Sequence, residues 1–464
     1  MLIIKGGHLV DPKSGIDKVR DIVVDGGKIV KICEPGSDYV SQLRVLDDAG
    51  LGDKSADKTG LVSESGSGNM AQCDDLKETS TGIRIIDATD KVVAPGLVDG
   101  HVHFRDPGFT YKEDIESGAK AAAKGGFTSV IMMGNTNPHM DNVATIKDVL
   151  ERGAKTGIRV YTCANVTMDM AGKELVDMEK LLDAGAVLFT DDGKPITDAD
   201  IMEKACLEAA RLGKVISLHE ENPEYIKNNG INAGDVANKL RIEGSPRLAE
   251  ISMVERDIEI AERTGADIVV QHISAGESVD LIRKAKARGV KVHAEATPHH
   301  FTLTEEAVLK YGSLAKMNPP LRLESDRLAI IEGLKDGTID MVATDHAPHS
   351  REEKAKDILS APSGITGLET SLSLGIRELV KTGYMTLAEL IDRMTYSPAK
   401  VYGIDAGYVE EGGKADLVIF DQDEEWSFVQ SVSKSSNTPF LGERLPGKIM
   451  CTICAGEVAY SFDN

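Results

Sequence analysis

No run in this 464-residue chain approaches the roughly 18 consecutive apolar residues of a membrane helix, so no membrane role is expected. Positive charge is also scarce. Lys and Arg number 53 against 75 Asp and Glu, a formal charge of −22, and no basic patch or Arg/Lys-rich helix stands out. That composition argues against a nucleic-acid partner. The six cysteines (Cys33, Cys73, Cys163, Cys206, Cys451, Cys454) are scattered, and the start Met1-Leu2-Ile3-Ile4-Lys5 lacks the basic head, apolar core and cleavage site of a secretory signal. A cytoplasmic protein with reduced thiols is expected. Cys451 and Cys454 form a C-x-x-C with no second pair. They read as small apolar residues of one strand running from Ile449 to Val458.

What is present begins with enough apolar residues, 41%, for a sizeable core. The length suits one large domain plus a smaller one. Short strand-like runs mark both ends: Leu2–Ile4, Asp21–Val24 and Lys28–Ile32, then Asp416–Phe420. Residues 1–90 and 404–464 are therefore expected to build one small β domain together. Residues 50–82, polar and rich in Gly and Ser, are expected to be a flexible surface insertion. From 91 to 403 the pattern alternates. Eight candidate strands (Val92–His103, Ser129–Met133, Arg159–Cys163, Ala186–Thr190, Val215–His219, Ile268–His272, Lys291–Glu295, Asp340–Thr344) are separated by helical stretches such as Lys112–Lys124, Asp200–Leu212, Ala249–Thr264 and Val279–Arg288. Eight β/α units predict an α/β fold with a closed (β/α)8, or TIM, barrel.

Chemistry in such a barrel gathers where strands stop. The first strand ends in His101-Val102-His103, two imidazoles on one face because strand side chains alternate. Arg105 continues that face toward an anion. Other strand ends carry Asn135, Asp191-Asp192-Gly193, His219, His272 and Asp345. Taken singly these residues are ordinary: Asp-Asp-Gly is usually a turn. Jointly, four His and two carboxylates suffice for two divalent metals, zinc or else manganese or cobalt. A bridging carboxylate is then required. Because metal-bound water has its pKa lowered to about 7, hydrolysis of a carbonyl compound is the expected reaction, with Asp345 carrying the proton. His299 and His300 read as supporting or structural, His293 as packed within a strand, and His8 and His139 carry no supporting context.

The run Gly96-Leu97-Val98-Asp99-Gly100-His101-Val102-His103-Phe104-Arg105-Asp106-Pro107-Gly108 resembles the signature of class I dihydroorotases, in the amidohydrolase superfamily. Gly134-Asn135-Thr136-Asn137-Pro138, Asn318-Pro319-Pro320-Leu321-Arg322, Thr344-Asp345-His346-Ala347-Pro348-His349 and Gly364-Ile365-Thr366-Gly367-Leu368-Glu369-Thr370 are similar to its further motifs. The resemblance implies a barrel with a composite β-sandwich. It implies the reversible closure of N-carbamoyl-L-aspartate to (S)-dihydroorotate and water, the third step of de novo pyrimidine synthesis. By motif position, His101 and His103 would hold one zinc, His219 and His272 a second, weaker one, with Asp192 bridging. Asp345 would be both ligand and general acid/base. Arg105, Asn135, Asn318 and His349 would hold the small anionic substrate, and the loop from Pro362 to Gly367 would add backbone contacts. Homo-oligomers and association with aspartate transcarbamoylase are further implied.

Two positions depart from the pattern. Many superfamily relatives bridge their metals with a carboxylated lysine at the fourth strand. Here that tip reads Phe189-Thr190-Asp191-Asp192-Gly193, with Lys194 as the nearest alternative. Gly134 stands where the family usually has Pro. Two rival readings remain. A hydantoinase or allantoinase would favour neutral or ureido substrates, against which Arg105 and the missing lysine argue. An inactive scaffold for transcarbamoylase should have lost ligands, and here all are retained.

Overall fold

The two ends of the chain meet in one sheet. In the computed structural model, which describes residues 1–37, 76–78 and 82–462, Leu2–Asp11, Ile16–Asp25 and Lys28–Cys33 form an antiparallel meander. Val92–Pro95 pairs parallel to the first of these and antiparallel to Leu417–Asp421, which continues into Lys448–Cys454 and Glu457–Ser461. Inward positions from both halves of the sheet (Leu2, Ile4, Ile22, Leu417, Ile453) share one buried cluster, the interior of a β-sandwich. The central strands are apolar at successive positions because both faces are covered: Val93, Leu417 and Ile419 join this cluster, while Val92, Ala94, Val418 and Phe420 join the main core with barrel residues.

The barrel strands are Leu97–Val102, Phe127–Met132, Arg159–Thr162, Val215–Leu218, Asp267–Val270, Val292–Ala296 and Met341–Val342. Their ladders are parallel, and a parallel bridge between Val102 and His346 joins the last strand to the first. Helices between them start on side-chain caps. Asp114 accepts from the Ser117 amide at the head of Ile115–Lys124, and Asp198 does the same for Ala199–Leu212, which ends at Gly213 in the left-handed region (φ 63°). No helix of the described residues is long and apolar enough to cross a membrane.

Four expectations need correction. The first strand, Val92–His103, is two: it breaks at Gly96, where a Cβ would lie 2.1 Å from Thr128 Oγ1, and its halves serve different sheets. The fourth, Ala186–Thr190, is not a regular strand. It joins the barrel through single bridges from Phe189 to Ala164 and to Ile216. The run Ile449–Val458 is a hairpin, turning at Ala455 and Gly456, both at positive φ, and Cys451 and Cys454 are buried within its first strand, with no disulfide between them. The 50–82 segment lies largely outside the described residues, but Leu76–Glu78 pairs with Arg84–Ile86 and is strand rather than insertion.

Candidate metal centre

Both histidines of the first strand are buried, and each ring is anchored by one nitrogen. His101 Nδ1 donates to Glu295 Oε1 at 2.6 Å, and His103 Nδ1 to Asn135 Oδ1 at 3.0 Å. Each Nε2 is thereby aimed at the same two carboxylates. His101 Nε2 stands 3.4 Å from Asp192 Oδ1 and 3.6 Å from Asp345 Oδ1, while His103 Nε2 is 3.0 Å from Asp345 Oδ1 and 3.4 Å from Asp192 Oδ2. A partner behind the ring that fixes its tautomer is the usual support of a metal-ligating imidazole.

The fifth and sixth strand ends add His219 and His272. His219 Nε2 is held by Glu221 Oε2 at 3.0 Å, and its Nδ1 lies 3.0 Å from His272 Nε2 and 3.6 Å from Asp192 Oδ1. Two sets of donor atoms are close enough to share an ion: His101, His103 and Asp345, and His101, Asp192 and His272. His219 falls outside both sets; its Nε2 is turned to Glu221, with Asn318 Nδ2 nearby at 3.2 Å. The donors fit divalent zinc-type ions: imidazole nitrogen and carboxylate oxygen only. His101 Nε2 and His272 Nδ1 are moreover buried without a hydrogen-bond partner, a costly condition that a bound cation relieves for a nitrogen facing it.

The two carboxylates carry the charge a ligand needs, whereas neighbouring carboxylates raise His101 and His219 against burial, His219 to about 10, so these imidazoles give up a proton when they bind metal. Burial opposes ionisation of Asp192, but His101 outweighs it and holds the carboxyl well below the usual range. Burial likewise opposes charge on Asp345, and the bond from His103 again prevails. His103 is lowered, by burial and then by the Arg105 cation. His349 is pushed down to about 2 by burial, Arg105 and Lys112, so it is a neutral imidazole. Arg105 (φ 57°), His272 (φ 31°) and Asp345 (φ 46°) all have backbones in a region that non-glycine residues rarely adopt. Such strain, on the order of 1–3 kcal/mol each, concentrates at functional sites.

A cavity of about 120 Å³ opens beside the cluster, lined by His103, Arg105, Asn135, Asp192, Asn318 and Asp345 among others. His349 does not line it. It stands behind Arg105, 3.5 Å from a guanidinium nitrogen. Of the expected loop, Ser363 and Gly364 reach the cavity rather than Pro362 and Gly367. Pro362 accepts from Lys354, and the Gly367 amide donates to His346 Nδ1. Lys194 lines a different, small cavity with Glu220 and Asp257. The space a Pro ring would need at 134 is taken by Asn165, whose Nδ2 would lie 2.6 Å from a Cβ there.

Three contributors escape the sequence reading. Glu295 ends the seventh strand and could have been noticed as one more titratable strand end. Glu221 lies two residues past His219, where the chain has already turned. Asn437 carries no motif. It comes from the C-terminal segment, accepts from the His349 amide, and donates to the carbonyls of Ala347 and Gly364. The segment around it therefore packs on the barrel rim, not in the β domain.

Comparison with known proteins agrees with this architecture. The model of the amidohydrolase family matches residues 92–459. The curated dihydroorotase of Clostridioides difficile is 49% identical, aligned over 99% of this chain and all of its own length. That of Streptococcus pneumoniae is 46% identical, with 99% and 100% covered. Among solved structures, an L-hydantoinase from Arthrobacter aurescens superposes with a TM-score of 0.80 at 25% identity, covering 98% of this chain and 95% of that one. A D-hydantoinase from a Thermus species superposes at 0.76 and 22%, covering 100% and 97%, a likeness of fold. The amidohydrolases are metal-dependent enzymes, and by family match, near-complete alignment and fold this chain belongs to them, within the dihydroorotase branch.

Proposed function

We propose that the chain is a dihydroorotase, interconverting N-carbamoyl-L-aspartate and (S)-dihydroorotate plus water in cytoplasmic pyrimidine synthesis. One observation carries this reading: a single small cavity is lined by the His/Asp cluster and by the guanidinium of Arg105. An anionic cyclic ureide needs both, since the Arg fork matches a carboxylate.

The residues divide the work as follows. His101, His103, Asp192, His219, His272 and Asp345 would hold zinc, two ions per chain, with Asp192 between them. Bound divalent ions supply a lowered pKa of water and polarise the scissile carbonyl. Arg105, backed by neutral His349, holds the substrate carboxylate. Asn135 is fixed by His103 and by Asp192 (its Nδ2 donates to Oδ2 at 3.3 Å), and with Asn318 it orients the ring. Asp345 takes the proton of the attacking water during ring opening and delivers it to the departing ring nitrogen. In closure it accepts the proton of the carbamoyl nitrogen as that nitrogen attacks the side-chain carboxyl, and water leaves.

Dihydroorotate, hydantoin and allantoin assayed side by side test the reading. The expected preference for dihydroorotate is at least about a hundredfold in kcat/KM, and equal or better use of hydantoin would replace it with the hydantoinase alternative. Arg105→Met should raise KM for dihydroorotate roughly a hundredfold with a smaller change in kcat, because a desolvated charge partner is lost. Arg105→Lys should recover only part of it, since an ammonium does not form the two parallel bonds. Sedimentation of the chain alone and mixed with aspartate transcarbamoylase tests the further proposals of self-association and of that partnership.

A further inference from the structure

Two ammonium groups are buried beside the site, and the mechanism uses neither. Lys316 and Lys354 are 3% and 5% exposed. Lys316 Nζ donates to the carbonyls of Leu359 (3.1 Å) and Ala361 (2.8 Å), and Lys354 Nζ to those of Pro362 (3.0 Å) and Gly364 (3.1 Å). Four carbonyls of one short turn thus converge on two lysines. Between the helix Arg351–Lys354 and the 3-10 turn at Leu368–Thr370 the chain has no regular element, so these carbonyls, of which those of Ala361 and Gly364 belong to buried residues, have no ladder to satisfy them. An ammonium brings three donors and no acceptor, which suits this task. The arrangement is costly: burial lowers both lysines, and burial with the neighbouring Lys316 brings Lys354 to about 7. A sequence seeking stability alone would place apolar side chains here.

The turn so held is the one that reaches the cavity through Ser363 and Gly364. Gly364 is fastened from three sides. Its carbonyl receives both Lys354 and Asn437, and its amide donates to the Lys316 carbonyl at 2.9 Å. At φ 128° a Cβ on it would meet Ala347 Cβ at 2.8 Å and His349 Cδ2 at 3.3 Å, so the turn lies against the residue that backs Arg105. We propose that Lys316 and Lys354 are positioning residues: a paired ammonium clamp that presses the 359–364 turn onto the His349–Arg105 side of the cavity and so sets affinity for the substrate anion. This rests on the dihydroorotase reading of the site, and it predicts an effect on binding rather than on proton transfer, which belongs to Asp345.

The test uses the full-length, metal-loaded enzyme. Lys354→Met should raise KM for dihydroorotate about tenfold, with kcat and metal content changed by less than about threefold. Lys354→Arg, which keeps donors on a long stem, should restore part of the loss. The Lys316→Met/Lys354→Met pair should fall short of the product of the single effects because both act on one turn. In case a variant fails to fold, hydrogen exchange of the 355–367 segment is followed in the unsubstituted enzyme, and dihydroorotate should slow it. An unchanged KM in folded Lys354→Met, a fall in kcat alone, or exchange indifferent to dihydroorotate would overturn the clamp. Turnover of dihydroorotate by the unsubstituted enzyme, measured alongside, reports separately on the reading of the site.

Discussion

Asp345→Asn should lower kcat in both directions by roughly 10³-fold or more while dihydroorotate still binds. The substitution is close to isosteric, and asparagine tolerates the positive φ of 46° that this position adopts, so the loop that carries it should survive. What disappears is the capacity to accept a proton. Asp345 faces the cavity with an oxygen 3.0 Å from His103 Nε2, and it is held ionised despite burial, chiefly by that bond and by His101. A carboxylate so placed is acceptor-only, the form in which a proton can be taken from water. Asp345→Ala should lose turnover equally and some metal as well. Calorimetric binding of dihydroorotate to the asparagine variant separates the two roles. An unchanged kcat in either variant would remove Asp345 from the mechanism.

Much of this site could be read from the chain because barrel topology turns strand ends into an address. His101, His103, His219, His272 and Asp345 each stand at or just past the end of an apolar run, and the structure brings them to one rim. The reading failed where the determining contact is remote. Nothing in Val92–Val102 says that the run changes sheets at Gly96, since apolar alternation looks the same in either. The cue is spatial: Thr128 leaves no room for a Cβ. Ala186–Thr190 has strand composition, yet its ladder is reduced to isolated bridges at Phe189. The hold on His101 comes from Glu295, 194 positions away, and Tyr402 donates to the other oxygen of that carboxylate at 3.2 Å. Supporting residues of this kind have no local spacing to reveal them, whereas ligands do. Asn437 is the extreme case, a residue in an irregular stretch whose meaning lies in the two loops it ties together.

Asp192→Asn should abolish turnover and lower affinity for divalent metal by well over tenfold, because no other carboxylate addresses all four imidazoles. Its Oδ1 faces His101, His219 and His272 at 3.4, 3.6 and 3.8 Å, and its Oδ2 faces His103 at 3.4 Å. Charge makes the same point. Two divalent ions, as proposed, would bring four positive charges into a buried site, where unpaired charge is expensive. Asp192 and Asp345 supply two negative charges directly, and Glu295 and Glu221 supply two more through His101 and His219. Losing Asp192 would therefore remove the proposed bridge and unbalance the site at once. A carboxylated lysine would bridge equally well, and the chain offers Lys194 two residues on, but that side chain lines a separate cavity. Metal retained after exhaustive dialysis, measured by mass spectrometry, decides between them. Lys194→Ala should keep its metal, and added bicarbonate should leave metal binding by the unsubstituted enzyme unaltered, while Asp192→Asn should be depleted. The reverse pattern, metal lost with Lys194 and kept without the Asp192 carboxylate, would assign the bridge to lysine.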